Sequence, residues 1–134
     1  MPGYSGTPLP KKLGIKAGFH VQLANVPPEV CAELKTALAE CAHAKSGTLD
    51  FILFFTKSGE ELAKEFPRLA KLLAPAGMLW VGWPKKSSRL AGDVDENVVR
   101  DTGLAAGLVD VKVCAVTEVW SGLKFVRRLK DRNS

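Results

Sequence analysis

Leu72-Leu-Ala-Pro-Ala-Gly-Met-Leu-Trp-Val-Gly-Trp-Pro-Lys-Lys86 decides how the rest of the chain is read. Leu73 is the last of a set of apolar residues at helical spacing, Leu62, Phe66, Leu69, Ala70 and Leu73. Pro75-Ala-Gly77 then predicts a helix stop, with Gly77 at the left-handed position. Met78–Trp83 is a nearly continuous apolar run, as expected of a strand covered on both faces. Gly82 within it predicts a close approach, by an aromatic ring or a backbone. Pro84 ends the strand, and Lys85 and Lys86 make its exit cationic.

Working backwards, Leu49-Asp-Phe-Ile-Leu-Phe-Phe55 is a second buried strand. Ser58 can cap the helix that follows, with Glu60 and Glu61 in its first turn. Pro67 predicts a kink or break after Phe66. Phe19–Val26 alternates with period two and reads as a strand. Pro27-Pro28 ends it and opens a helix over 28–40 with Val30, Leu34, Ala37 and Leu38 on one face. Residues 41–48 fit either a short edge strand or a loop. Residues 3–18 read as an extended arm with one helical turn near Pro10–Leu13, docked through Leu9, Leu13 and Ile15. Tyr4–Thr7 reads equally as a flap over the site or as part of a structural arm.

Working forwards, Asp93 or Asp95 can cap a helix over 96–106, with Val98, Val99 and Leu104 as core candidates and Gly107 at its end. Leu108–Val116 alternates, with Val109, Val111 and Val113 on one face and Asp110 and Lys112 on the other. Thr117–Gly122 then reads as a loop to a final strand, Leu123–Leu129, placed at the sheet edge. Alternating strands and helices predict a single α/β domain over 1–134. It is three-layered and Rossmann-like, with a mostly parallel sheet and a C-terminal antiparallel hairpin.

The totals agree with that reading. The chain has 134 residues, 46% hydrophobic and 25% charged, which is globular rather than disordered composition. No apolar run reaches the roughly 20 residues that span a bilayer, and Met1–Gly6 has no signal-peptide pattern, so a cytoplasmic protein without membrane association is expected. Three dispersed cysteines, Cys31, Cys41 and Cys114, fit reduced thiols. A net charge of +5 spread along the chain fits a solvated surface better than a nucleic-acid footprint.

In parallel sheets ligands bind outside the carboxyl ends of the strands. Those ends are Asn25–Val26, Thr56–Ser58, Pro84–Lys86 and the loop 117–122. Asn25, Lys57, Ser58, Lys85, Lys86, Trp120 and Ser121 are therefore the candidate ligand-binding residues. Lys57, Lys85 and Lys86 make the rim anion-receptive, and Trp83 and Trp120 offer it flat apolar surface. No residue stands out as catalytic: Ser121 lies outside a Gly-x-Ser-x-Gly elbow, and neither His20 nor His43 is placed as its base. Cys41-Ala-His43 has no second ligand pair, so no metal is expected.

Two resemblances follow. Gly3-Tyr-Ser-Gly-Thr-Pro-Leu9, Lys12-Leu-Gly-Ile15, Trp83-Pro-Lys85, Gly107-Leu-Val-Asp110 and Val113-Cys-Ala-Val116 with Trp120-Ser-Gly-Leu123 resemble a family of small uncharacterised bacterial proteins, a domain of unknown function. Leu49-Asp-Phe-Ile-Leu53, then a helix, then Leu73–Val81, with the closing hairpin, is similar to the middle of class I S-adenosylmethionine-dependent methyltransferases. The resemblance implies a truncated scaffold of that kind. Those enzymes place a Gly-rich loop after the first strand, where this chain has Asn25-Val-Pro-Pro28. Their acidic residue after the second strand has no clear counterpart, since Glu40 precedes the only candidate segment. These departures disfavour S-adenosylmethionine as cofactor. The expected function is a non-enzymatic module for a small anionic or nucleotide-like ligand. The alternatives are a divergent methyltransferase or other transferase, and a homodimer paired through edge strands.

Overall fold

A computed structural model describes residues 7–132. Within it one six-stranded sheet is covered by helices on both faces. The strands are β1 (His20–Ala24), β2 (Ala42–His43), β3 (Leu49–Phe55), β4 (Leu73–Pro84), β5 (Leu108–Ala115) and β6 (Trp120–Arg127). The helices are α1 (Leu9–Leu13), α2 (Pro28–Leu38), α3 (Gly59–Ala70) and α4 (Glu96–Ala105). Spatial order is β2-β1-β3-β4-β6-β5. The first four strands in that order run parallel, and β6 is antiparallel to both its neighbours. This is the three-layer Rossmann-like arrangement expected from the alternation.

Strand alternation sorts the apolar residues onto two faces. Phe54, Leu79, Val81, Trp83, Leu123 and Phe125 pack against Leu62, Phe66 and Leu69 of α3 and Val99 of α4. Val21, Phe51, Leu53, Phe55, Trp80 and Trp120 pack against Leu9 and Leu13 of α1 and Val30, Leu34 and Leu38 of α2. The described part of the arm docks as expected. Leu9 and Leu13 are buried, Ile15 packs beside them, and the Trp80 indole Nε1 donates to the Leu13 carbonyl at 2.9 Å. Residues 4–6 of the suggested flap lie outside the described residues.

Several expectations are corrected. Helix α3 runs through Pro67 to Ala70 without a break. Proline removes one backbone donor, but Pro67 faces solvent, where water can satisfy the freed carbonyl, while Phe66, Leu69 and Ala70 anchor the same turn in the core. Gly77 is not a left-handed helix stop; it lies within β4, which already begins at Leu73. A Cβ there would meet the Leu49 carbonyl oxygen at 2.7 Å, so Gly77 lets β3 and β4 close together. Asp95 caps α4 through Val98 N–H at 2.9 Å, whereas Asp93 accepts from Gly59 N–H, at the start of α3, at 2.8 Å.

Leu104 is exposed, and Gly103 takes its place facing Phe125. Helix α2 ends at Leu38, two residues short of expectation. Trp120-Ser-Gly122 is not loop but the start of β6, which ends at Arg127 and lies between β4 and β5. The edge strand is therefore β5. Its register jumps between Asp110↔Phe125 and Lys112↔Lys124, leaving Val111 in a bulge. Val109, opposite Val126, and Val113, opposite Leu123, therefore lie on different faces instead of one, and Val111 and Val113 are 54% and 51% exposed.

Candidate functional site

The carboxyl ends of β1, β3 and β4 do converge on one rim. Thr56 N–H continues the sheet to the Gly82 carbonyl at 3.0 Å, and Lys85 N–H reaches the Val119 carbonyl at 2.8 Å. Helices α2 and α3 begin at the same rim, through Pro28 and through Ser58, whose hydroxyl accepts from Glu61 N–H.

Between the ends of β1 and β3 lies an open cleft of about 660 Å³. Phe55, Trp120, Val26 and Pro27 give it apolar lining, joined by Leu90 from the loop after β4. Among its described lining residues, Lys57 is the cation and Glu29 and Glu61 are the carboxylates. Gly82 shapes the wall. A Cβ at that position would lie 2.4 Å from Phe55 Cε2, so the ring occupies the space that a side chain would need. Phe55 then meets Trp120 edge to face, with centroids 5.2 Å apart.

A polar cluster forms the other margin. Thr56 is buried, and its hydroxyl donates to Glu61 Oε1 at 2.5 Å while accepting from Ser58 N–H. Glu61 Oε2 accepts from Asn25 Nδ2 at 3.2 Å. Asn25 itself sits at φ 57°, the left-handed region that asparagine tolerates better than most residues. This turn at the end of β1 is the one non-glycine residue with positive φ among those described. Glu29, Glu61 and Leu90 were not among the sequence candidates. Ser58 capping pointed to Glu61 as a helix residue only, and nothing in the pattern placed Leu90 over a cleft.

The seven sequence candidates do not form one site. Asn25, Lys57 and Trp120 line the cleft, and Asn25 and Ser58 line an adjoining recess with Glu60, Glu61, Lys64 and Glu65. Lys85, Lys86 and Ser121 line a separate recess with Trp83, Asp95, Glu96 and Asn97. The three lysines thus divide between two places, and Lys85 and Lys86 share theirs with two carboxylates. Trp83 and Trp120 lie on opposite faces of the sheet and offer no common surface. Trp120 is largely core, 8% exposed, with only its margin on the cleft. Among the described residues, no three His, Cys, Asp or Glu side chains gather within metal-binding reach, and no helix is long and apolar enough to cross a membrane.

The fold and the position of the cleft define a class: an α/β chain with a methyltransferase-like fold. The magnesium protoporphyrin IX methyltransferase of Synechocystis PCC 6803, with bound S-adenosylhomocysteine, superposes with TM-score 0.59 at 14% identity, over 84% of this chain and 75% of that one. A methyltransferase from Aquifex aeolicus gives 0.59 at 19% identity over 86% and 85%. A TehB-like methyltransferase from Corynebacterium glutamicum ATCC 13032 gives 0.57 at 10% identity over 90% and 85%. At these identities the likeness is one of fold. By sequence the chain belongs to the family of proteins of unknown function DUF3052, whose model matches residues 10–129. Among curated protein sequences none matches it significantly.

Proposed function

We propose that this chain is a non-enzymatic binding module for a small nucleoside-like ligand carrying one anionic group, held in the cleft between β1 and β3. The observation that carries the reading is the pairing of an apolar lining, made by Val26, Pro27, Leu90 and the margins of the buried Phe55 and Trp120, with one cation among the described lining residues, Lys57, at the carboxyl ends of parallel strands. A ring system fits this lining, and Glu29 offers an acceptor to hydroxyl or amino groups. One lysine suits one anionic group; a polyanion would face the two carboxylates as well. The polar side chains at the margin favour binding over chemistry. Thr56 and Glu61 already hydrogen-bond each other, and Glu61 also holds Asn25, so the cluster is engaged in shaping the rim.

Calorimetry with adenosine, adenosine monophosphate, S-adenosylmethionine and S-adenosylhomocysteine tests this. Lys57→Ala is expected to weaken the monophosphate about tenfold, the scale of one charge-assisted contact, and adenosine hardly at all. Leu90→Asp should weaken both. Binding that is absent across the panel, or indifferent to both variants, overturns the proposal.

A divergent methyltransferase is the second reading, favoured by the fold and by the cleft's position. Turnover of S-adenosylmethionine to S-adenosylhomocysteine, abolished by Leu90→Asp, would replace the binding-module reading with it.

A further inference from the structure

The bulge in β5 does more than blunt an edge. With plain alternation Asp110 and Lys112 would share a face and could neutralise each other. The extra residue, Val111, separates them. Asp110 stays on the α4 face, where its Oδ2 accepts from Arg100 Nε at 3.0 Å. Lys112 turns to the α1 face, directly opposite Lys124 of β6. Like charges placed opposite each other in an antiparallel pair are unfavourable. A third cation joins them from α1: Lys12 Nζ donates to the Ala115 carbonyl at 2.7 Å, and Lys112 Nζ lies 3.3 Å from the Lys12 carbonyl. Neither Lys112 nor Lys124 forms an ion pair with a carboxylate among the described residues.

We propose that Lys12, Lys112 and Lys124 form a site for a phosphate-type oxyanion on the α1 face of the sheet, assembled by the Val111 bulge. Bulges recur where a side chain must be re-aimed next to a site, and here the re-aimed group is a cation sent away from its natural acidic neighbour. Three ammonium groups brought to one face, two of them also donating to backbone carbonyls, offer charge-assisted hydrogen bonds to the several oxygens of a phosphate. Burial and the neighbouring Lys112 both push the Lys124 ammonium below the ordinary lysine range, and a bound dianion would offset that cost. The site lies on strands β5 and β6 and helix α1, apart from Lys57, so it stands or falls independently of the cleft proposed above.

The test is an NMR titration of the full chain, observing the lysine side chains, with inorganic phosphate and separately with phenyl phosphate, at low ionic strength. Saturable shifts at Lys12, Lys112 and Lys124 are expected, with Lys124→Met and Lys112→Met each weakening the affinity read at these lysines about tenfold, while any shift at Lys57 reports the separate cleft and survives both variants. Lys57→Met removes the cleft's cation and should leave the affinity read at Lys12, Lys112 and Lys124 unchanged. Phosphate should also raise the thermal midpoint of wild type and not that of Lys112→Met. Inorganic phosphate binding as well as phenyl phosphate assigns a site for the free ion; preference for the monoester assigns the phosphorylated small molecule. Both support the site. Shifts spread over all surface lysines without saturation, or Lys124→Met and Lys112→Met variants that bind as wild type does, overturn it.

Discussion

Gly82→Ala perturbs the core where it becomes the cleft. The new Cβ would lie 2.4 Å from Phe55 Cε2, 2.5 Å from Cδ2 and 2.8 Å from Cζ. Ordinary contact begins a full ångström further out, so the ring must tilt or β4 must move. Overpacking of this kind costs about 1–3 kcal/mol. Tilting the ring also breaks its edge-to-face pair with Trp120, worth about 0.5–1.5 kcal/mol. Removing a strand glycine returns about 0.5–1 kcal/mol through lower unfolded-state entropy. The net expectation is a loss of about 1–3 kcal/mol, close to the overpacking term itself. In urea denaturation, with a slope of about 1–3 kcal/mol per molar for a small domain, that moves the midpoint down by roughly 1 M. Phe55→Leu, a smaller residue at the same site, should rescue. The double variant is expected to be more stable than the two single losses added together, by about 0.5–3 kcal/mol. A Gly82→Ala protein as stable as wild type, or strictly additive losses, would refute the claim that this glycine exists to seat the Phe55 ring.

Asn25→Ala removes both the tolerance for φ 57° and the bond to Glu61; a loss of about 1–2 kcal/mol is expected, read by the same denaturation. Asn25→Gly, which keeps the backbone freedom, should lose less. Asp93→Ala deletes the acceptor at the first N–H of α3, a cap-like contact worth about 0.5–2 kcal/mol, and frees the loop that carries Leu90, so hydrogen exchange at Gly59 and along residues 86–94 should quicken. Lys124 has a folded-state pKa below its unfolded value, so between the two the unfolded chain binds more protons and stability rises with pH. Below that window its burial is a constant cost, hence Lys124→Met should stabilise the protein at neutral pH and flatten the rise, measured by denaturation at pH 7 and pH 10.

The buried strands were legible because they carry unmistakable composition. Phe51–Phe55 is apolar without interruption and Met78–Trp83 nearly so, as a strand covered on both faces reads. The cap at Ser58 and the ring beside Gly82 were legible for similar local reasons. The errors share a different cause. Leu104 and the valines of β5 were assigned from periodicity and Pro67 from its missing backbone donor, and in each case a tertiary effect decides. Core anchoring carries α3 past its proline, Gly103 rather than Leu104 meets Phe125, and one bulged residue reverses which face Val113 occupies. The rim was legible as an edge but not as a site. Topology places four strand ends together, yet which lysines meet depends on loops. The loop over residues 85–95 carries Lys85 and Lys86 beside Asp95 and Glu96, and leaves Lys57 alone at the cleft.

Where the glycines lie bears on what the scaffold does. A nucleotide-binding sheet spends glycine at the end of its first strand, so that backbone can approach a ligand. Here that turn is made by Asn25, a residue with a side chain, and is followed by Pro27, which is buried against the fold. The close approaches are placed instead at Gly82 and Gly122, which face each other across β4 and β6. There the vacated space is filled from within, by the Phe55 ring at one glycine and by Val116 and Trp80 at the other. The sheet therefore fills its closest approaches with its own buried side chains, of which Phe55 alone reaches the cleft among the described residues. On the function proposed above, recognition rests on contact with this apolar lining and on Lys57. A ligand gripped by backbone N–H groups should not be sensitive to Phe55 or Lys57; a ligand held by this wall should be sensitive to both.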